Sequence, residues 1–168
     1  MSNHDITIHT VSTDNEITRT ANLASAIWHE CYASLISSLQ IDYMLEQFQS
    51  TAAVAAQIKE GYSYFLVTVA ETDAGYFATL PEPDKNRLFI SKLYATAQFR
   101  GTGVGRAMLD HIETTARHAR LNTLWLTVNK LNPTLSWYER RGFIRTAAVV
   151  SDIGNGFVMD DFHMEKHV

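Results

Sequence analysis

The stretch QFRGTGVGRAM, Gln98 to Met108, concentrates the groups in this chain that are best suited to holding an anion. Glycines stand at 101, 103 and 105, directly after an apolar strand pattern and at the opening of an amphipathic helix. A glycine loop can curl so that successive N–H groups point inward, and a helix start adds partial positive charge. Together they make a cradle suited to a pyrophosphate. Arg100 and Arg106 add charge-assisted donors. The working loop therefore runs from Gln98 to Arg106 and includes Thr102 and Val104.

Two familiar phosphate loops do not fit. The Walker pattern needs Gly-Lys-Ser/Thr, but Gly105 is followed by Arg106-Ala107. The dinucleotide fingerprint needs G-x-G-x-x-G and an acidic residue about 20 positions on. Here the spacing is G-x-G-x-G and the next strand ends in Asn129.

Other reactive types are less well placed. Cys31 lies in AIWHECYASLI, a helical apolar context that predicts a small buried thiol, and as the single cysteine it forms no disulfide within the chain. His163 and His167 have no third ligand nearby, and His111 and His118 stand too far apart on their helix to chelate together, so no metal site is expected. Ser136 lacks the G-x-S-x-G elbow.

The elements that must position the loop follow from periodicity. Residues 5–11 alternate as an edge strand, and helical spacing runs from about Glu16 to Leu39 with a break near Ser37-Ser38. A second helical stretch starts at Asp42. A third spans about Thr51 to Lys59 and is closed by Gly61. Tyr62–Ala70, Gly75–Leu80 and Arg87–Tyr94 read as an antiparallel meander with a turn at Glu71-Thr72-Asp73 and a connection from Pro81 to Asn86. A helix from about Gly103 to Arg120 and a strand at Leu124–Val128 follow. One intervening helix implies parallel pairing of that strand with Arg87–Tyr94. Asn132-Pro133 opens a last helix, with Asn as cap and Pro in the first position, and Gly142 ends it. Two strands then flank Gly154-Asn155-Gly156. The fold class is α/β of the α+β type: a mixed, mostly antiparallel central sheet with helices on both faces.

Bulk properties bound the rest. The 168 residues are 46% apolar and 19% charged with a formal charge of -4, the profile of one folded domain over residues 1–168. That charge gives no support to nucleic-acid binding, which needs a basic stripe. No apolar run reaches the roughly 18 residues of a membrane span, so no membrane partner is expected. The N-terminus, MSNHDITIHT, lacks the basic and apolar regions of a signal peptide, and a cytoplasmic location is expected.

With these residues in view, the chain resembles the GNAT superfamily of N-acetyltransferases. The signature Gln/Arg-x-x-Gly-x-Gly/Ala stands as Gln98-Phe99-Arg100-Gly101-Thr102-Gly103, preceded by FISKLYATAQ. Downstream, LWLTVNKLNPTLSWYERRGF resembles the family's second strand–helix segment, with Asn132, Tyr138 and Gly142-Phe143 at matching positions, and GFVMDDFHMEK is similar to its final strands. The likeness is strong over about residues 60–168 and rests on element order before that.

The resemblance implies acetyl-CoA as cosubstrate in a gap between the two parallel strands. Backbone groups of Leu93, Tyr94 and Ala95 would hold the pantetheine amides, as in β-augmentation. Gln98 and Arg100, Gly101, Thr102, Gly103, Val104, Gly105 and Arg106 would hold the pyrophosphate, and Asn132 would contact the cofactor. It implies direct attack by the primary amine of a small molecule (a polyamine or amino compound) or of a peptide, with Tyr138 as general acid. His29 and Glu30 are candidates for the base, and Asp160 and Asp161 for engaging a cationic group. Acceptor residues are expected within about 28–45 and 150–160, where Trp28, Tyr32 and Tyr43 either line a pocket or belong to the core. A homodimer is expected on the same ground. The alternative is a module of the same fold that binds acyl-CoA as a sensor or regulatory subunit without turnover.

Overall fold

The computed structural model describes residues 5–168. Of the N-terminal stretch read for a signal peptide, residues 1–4 lie outside them. The chain forms two compact units, Met1–Leu80 with Lys92–Ile112, and Pro81–Ser91 with Glu113–Val168. Hydrogen-bonded neighbours give the strand order β1-β2-β3-β4-β5-β7-β6, a mixed and mostly antiparallel seven-stranded sheet accompanied by helices.

In the first unit, β1 (Ile6–Thr10) pairs antiparallel with β2 (Ser63–Val69), and β2 with β3 (Thr72–Glu82). The β2–β3 turn is tighter than the expected Glu71-Thr72-Asp73. Ala70 and Glu71 both take left-handed φ, 48° and 70°, so β3 starts at Thr72. Paired positive φ values match the twist of a two-residue hairpin.

Helix α1 (Asp14–Tyr32) opens on a capping box in which Thr13 and Glu16 serve each other's backbone N–H groups. It ends at Tyr32 rather than continuing toward Leu39. Ser37 then turns extended and accepts from Gln40 N–H, which starts α2 (Ser38–Met44) four residues before the expected Asp42. A π-helical turn, Leu45–Gln49, leads to α3 (Thr51–Lys59). Gly61, at φ 106°, closes α3 as expected, with Tyr62 N–H reaching back to the Gln57 carbonyl. Ile27, Leu66, Tyr76 and Phe77 are fully buried in this unit. The Trp28 indole donates to Tyr76 Oη at 3.2 Å, and that hydroxyl donates to Gln49 at 3.1 Å.

Strand β4 (Arg87–Ala95) and helix α4 (Val104–His118) run through both units. In the second unit β4 meets β5 (Thr123–Asn129) in the expected parallel sense. The register has three pairs, from Arg87↔Thr123 to Phe89↔Trp125. β5 meanwhile pairs antiparallel with β7 (Phe157–His167) along its whole length. Helix α5 (Thr134–Arg140) follows β5, and β6 (Ile144–Gly154) pairs antiparallel with β7. Asn155 and Gly156 make the expected hairpin turn at φ 54° and 78°. Leu88, Leu124, Leu126, Phe143 and Met164 are buried here. Among the described residues, no helix is long and apolar enough to cross a membrane.

Candidate active site

The sequence-predicted loop residues form one continuous feature of the first unit. At the end of β4, the chain is pressed against β3. Thr96 N–H donates to the Ala74 carbonyl at 2.9 Å, and a Cβ added at Gly75 would sit 2.5 Å from the Tyr94 carbonyl oxygen. Only glycine fits that contact, so Gly75 sets where the Leu93–Ala95 backbone lies. The Tyr94 ring is flanked by Trp28 and Tyr76 at 5.6 and 5.4 Å between centroids.

A short 3-10 turn, Ala97–Phe99, then drops Phe99 into the core. Thr102 Oγ1 donates to the Phe99 carbonyl at 2.5 Å, cross-bracing the loop. Gly101 and Gly103 take φ of 75° and 94°, conformations that side chains rarely adopt. Gly105 does not belong to the curl, as the helix has already begun at Val104. The α4 ladder includes a bond from Ala107 N–H to the Gly103 carbonyl, so the N–H groups of Val104, Gly105 and Arg106 belong to the first turn, which has no intrahelical acceptors. Two left-handed glycines ahead of a helix start fit an anionic pyrophosphate, and a Cβ at Gly101 would meet nothing within 4 Å. Gln98 and Arg106 are solvent-exposed beside it.

Arg100 differs from its expected role. Its guanidinium lies against α1, with Nη1 2.7 Å from Glu30 and Nη2 2.8 Å from Cys31 Sγ, while Nε donates to the Ala95 carbonyl at 3.2 Å. The side chain is thus a strut between the loop and the end of α1, and it occupies one of the carbonyls assigned to the cofactor. The same strut ties up Glu30, one candidate base. Cys31 is half-buried rather than buried, and burial raises its thiol pKa more than Arg100 lowers it. His29 is held between the Ser25 carbonyl and Asp42, at 2.8 and 2.9 Å, and these contacts raise its pKa in that order. A histidine held in its charged form offers less of the unprotonated imidazole that could accept a proton. Trp28 and Tyr32 are core residues, and Tyr43 is half-buried.

In the second unit, Asn132 and Tyr138 bracket the start and middle of α5. Asn132 caps as expected, its Oδ1 accepting from Thr134 N–H at 2.9 Å and Thr134 Oγ1 at 2.8 Å. Pro133 has helical φ and ψ of -59° and -22°, and the regular helix begins one residue later. Past α5, Gly142 at φ 97° lets Phe143 N–H return to the Tyr138 carbonyl at 3.1 Å. This closure packs Phe143 against the Tyr138 ring at 5.5 Å, with Trp137 on another side at 5.2 Å. Tyr138 is 7% exposed, and its ring position is set by these neighbours.

Asp160 and Asp161 part company on β7. Asp160 is bound by Lys130 at 2.6 Å. Asp161 is half-buried, and its Oδ1 is a buried atom without a hydrogen-bond partner. Burial raises its pKa to about 6, with Asp160 adding to the rise and Lys130 opposing it. Two residues that hold β4 in place escaped the sequence reading. Gly75 carried a signal, a lone glycine within a strand, that marks close backbone approach. Lys92, buried on β4, carried none.

The profile of the Acetyltransferase (GNAT) family matches residues 23–143, and the chain belongs to that family. It is an acyltransferase of the GNAT type. Among solved structures it is similar to the PaiA N-acetyltransferase from Thermoplasma acidophilum in complex with coenzyme A, at 20% identity, TM-score 0.77 and full coverage of both chains. The ribosomal-protein-S18-alanine N-acetyltransferase from Escherichia coli matches at 18% identity and TM-score 0.72, over 97% of this chain and 94% of that one. A spermidine N-acetyltransferase SpeG chimera from Vibrio cholerae and hSSAT matches at 16% identity and TM-score 0.69, over 97% and 95%. No curated protein matches the chain.

Proposed function

We propose that the chain, acting as a single domain, transfers the acetyl group of acetyl-CoA to a primary amine by direct attack, with Tyr138 as general acid. The observation that carries this reading is the pair of left-handed glycines, 101 and 103, opening into the N-terminus of the 15-residue α4. The coenzyme A held by one structural relative, and the spermidine and ribosomal-protein alanine in the names of two others, support the donor and the class of acceptor.

Acetyl-CoA supplies an acetyl group activated as a thioester. The backbone of Leu93–Ala95 binds its amides, and the Gly101–Arg106 backbone, with Gln98 and Arg106 alongside, binds its pyrophosphate. Asn132 contributes a further contact. An alkyl amine has a pKa near ~10, so it must give up a proton before it attacks. As the carbon–sulfur bond breaks, Tyr138 Oη hands its proton to the departing sulfur. Packing by Trp137 and Phe143 holds the phenol ring for that transfer.

The test follows thiol release from acetyl-CoA with a panel of primary amines. Tyr138→Phe is expected to slow kcat about 100-fold while acetyl-CoA affinity stays within about twofold. Loss of both together would reduce Tyr138 to a packing residue. Gly103→Asp is expected to abolish acetyl-CoA binding through backbone strain and like charge. Tight acetyl-CoA binding with no turnover across the panel would replace this reading with a sensor module.

A further inference from the structure

The face of the second unit that carries Trp125 has two different ends. At one end the charges are paired: Glu82 accepts from the Trp125 indole at 2.5 Å and from Arg87 Nη2 at 3.2 Å, while the Arg87 guanidinium covers the Trp125 ring at 4.3 Å. Phe89 stacks on Trp125 at 4.2 Å and 19°, and His163 lies 4.8 Å from that ring on the far side of the register. At the other end the matching stops. The β5–β7 register pairs Trp125 with Glu165, Thr127 with His163 and Asn129 with Asp161. Alternate residues share a face, so Asp161, His163 and Glu165 stand beside Trp125, Thr127 and Asn129.

The buried atoms without hydrogen-bond partners along this strip are Asp161 Oδ1, His163 Nε2 and Arg87 Nε, the last within 3.2 Å of the Glu82 carboxylate. His163 Nε2 is 3.6 Å from Glu165 Oε1, an ion-pair distance only when the imidazole is protonated. Asp161 has less. Lys130 is committed to Asp160, whose side chain points to the opposite face by strand alternation. Buried polar atoms are almost always satisfied, and an orphaned carboxylate oxygen calls for a donor. Its pKa of about 6 leaves it ionised at neutral pH, with charge uncancelled by any bonded cation.

We propose that Asp161 is the counter-ion of the acceptor's ammonium group, and that the aliphatic part of the acceptor lies along the Trp125–His163 strip of the same face. The chemistry on both sides agrees. An ammonium supplies N–H donors and the missing charge, and the aromatic edge offers apolar surface to methylene groups. Four residues separate Asp161 from the Glu165 position opposite Trp125, a run of about 13 Å, which suits a linear alkylamine better than a compact one. At the far end Glu82 is already taken by Arg87 and the Trp125 indole. The ligand is thus a primary alkylammonium with an apolar stretch beside the charged end. This deepens the acetyltransferase reading and rests on it for the word acceptor, but the binding claim can be tested alone.

The probe is n-hexylamine, titrated into the full-length protein by calorimetry, with 1-hexanol as its uncharged match. Wild type is expected to bind n-hexylammonium and to bind hexanol at least 10-fold more weakly. Asp161→Asn is expected to weaken the amine at least 10-fold while acetyl-CoA affinity is unchanged, which also reports that the variant is folded. Asp160→Asn, which removes the neighbouring carboxylate from the other face, is expected to stay within about twofold of wild type. Equal amine affinity in wild type and Asp161→Asn, equal binding of hexanol, or no amine binding by wild type would each overturn the proposal. Wild type that binds hexylamine through Asp161 but never releases thiol would uphold it and defeat the catalytic reading instead.

Discussion

Each unit contains a charge-bearing side chain withdrawn from water, and the two are handled in opposite ways. In the first, Lys92 is 6% exposed and its ammonium is partnered by Gln57 Oε1 at 2.6 Å, Tyr64 Oη at 2.5 Å and the Tyr64 ring face at 5.0 Å. Tyr64 in turn donates to Gln57 at 2.7 Å, so the three groups form a closed set. In the second, Asp161 keeps a buried oxygen with no partner and a neighbour, Asp160, of the same sign. A closed polar set fixes the relative positions of α3, β2 and β4 and has nothing left to offer a ligand. An open one weakens the fold locally and keeps its bonding capacity for something else. Burial moves both pKa values toward neutrality, Lys92 down to about 7 and Asp161 up to about 6, so a perturbed pKa alone does not tell the two apart. Partner accounting does.

The largest expected effect is on the closed set. Lys92→Ala leaves a cavity beside Tyr64 and Gln57 and should cost about 2–4 kcal/mol in denaturant unfolding, with specific activity of the folded fraction retained. Activity lost without loss of stability would break the comparison at its first term. Tyr64→Phe removes one acceptor from the ammonium and should cost about 1–3 kcal/mol.

A finer test is the pH dependence of stability. The folded Lys92 amine loses its proton near pH 7 while the unfolded one keeps it to about 10.5. Between those values the unfolded state binds more protons, so stability rises with pH, by up to about 1.4 kcal/mol per unit. Lys92→Met should flatten that rise; an unchanged slope would show that the amine is not the group titrating. Asp161 has the opposite sign. Its folded carboxyl holds a proton up to about pH 6 against 3.8 unfolded, so its contribution is full below 3.8 and lost as pH climbs through 6. Asp161→Asn should remove that fall and raise stability at pH 7 by about 0.5 kcal/mol or less, since the side chain is only half-buried, the smallest effect of the series. A large destabilisation would make Asp161 a structural residue like Lys92.

The same contrast marks what was readable in the sequence. Gly101 and Gly103 marked a tight turn because glycine takes positive φ at no steric cost, and Asn155-Gly156 marked its hairpin because Asn and Gly are the types that best tolerate positive φ. Local rules reach that far. They overran α1 because Leu35 continues its apolar spacing, whereas the competing cap at Ser37 wins once its hydroxyl meets Gln40 N–H. They counted Gly105 with the loop because a glycine inside a helix is indistinguishable by type from one before it. Asp160 and Asp161 are adjacent and identical in type, and only the register against Asn129 assigns each to a face. Arg100 looked like a phosphate ligand because its partner, Glu30, is 70 positions away. The Lys92–Tyr64–Gln57 set spans three elements and leaves no trace in any one of them.

The strut formed by Arg100 has a practical consequence. The chain has one thiol, and it is the one that this guanidinium touches. Cys31 is therefore a built-in clock for the loop: its alkylation rate measures how often Arg100 leaves the end of α1, with no label introduced by mutation. Slower alkylation when acetyl-CoA is added would mean that the donor locks the strut in place. Faster alkylation would mean that Arg100 is drawn away toward the phosphates.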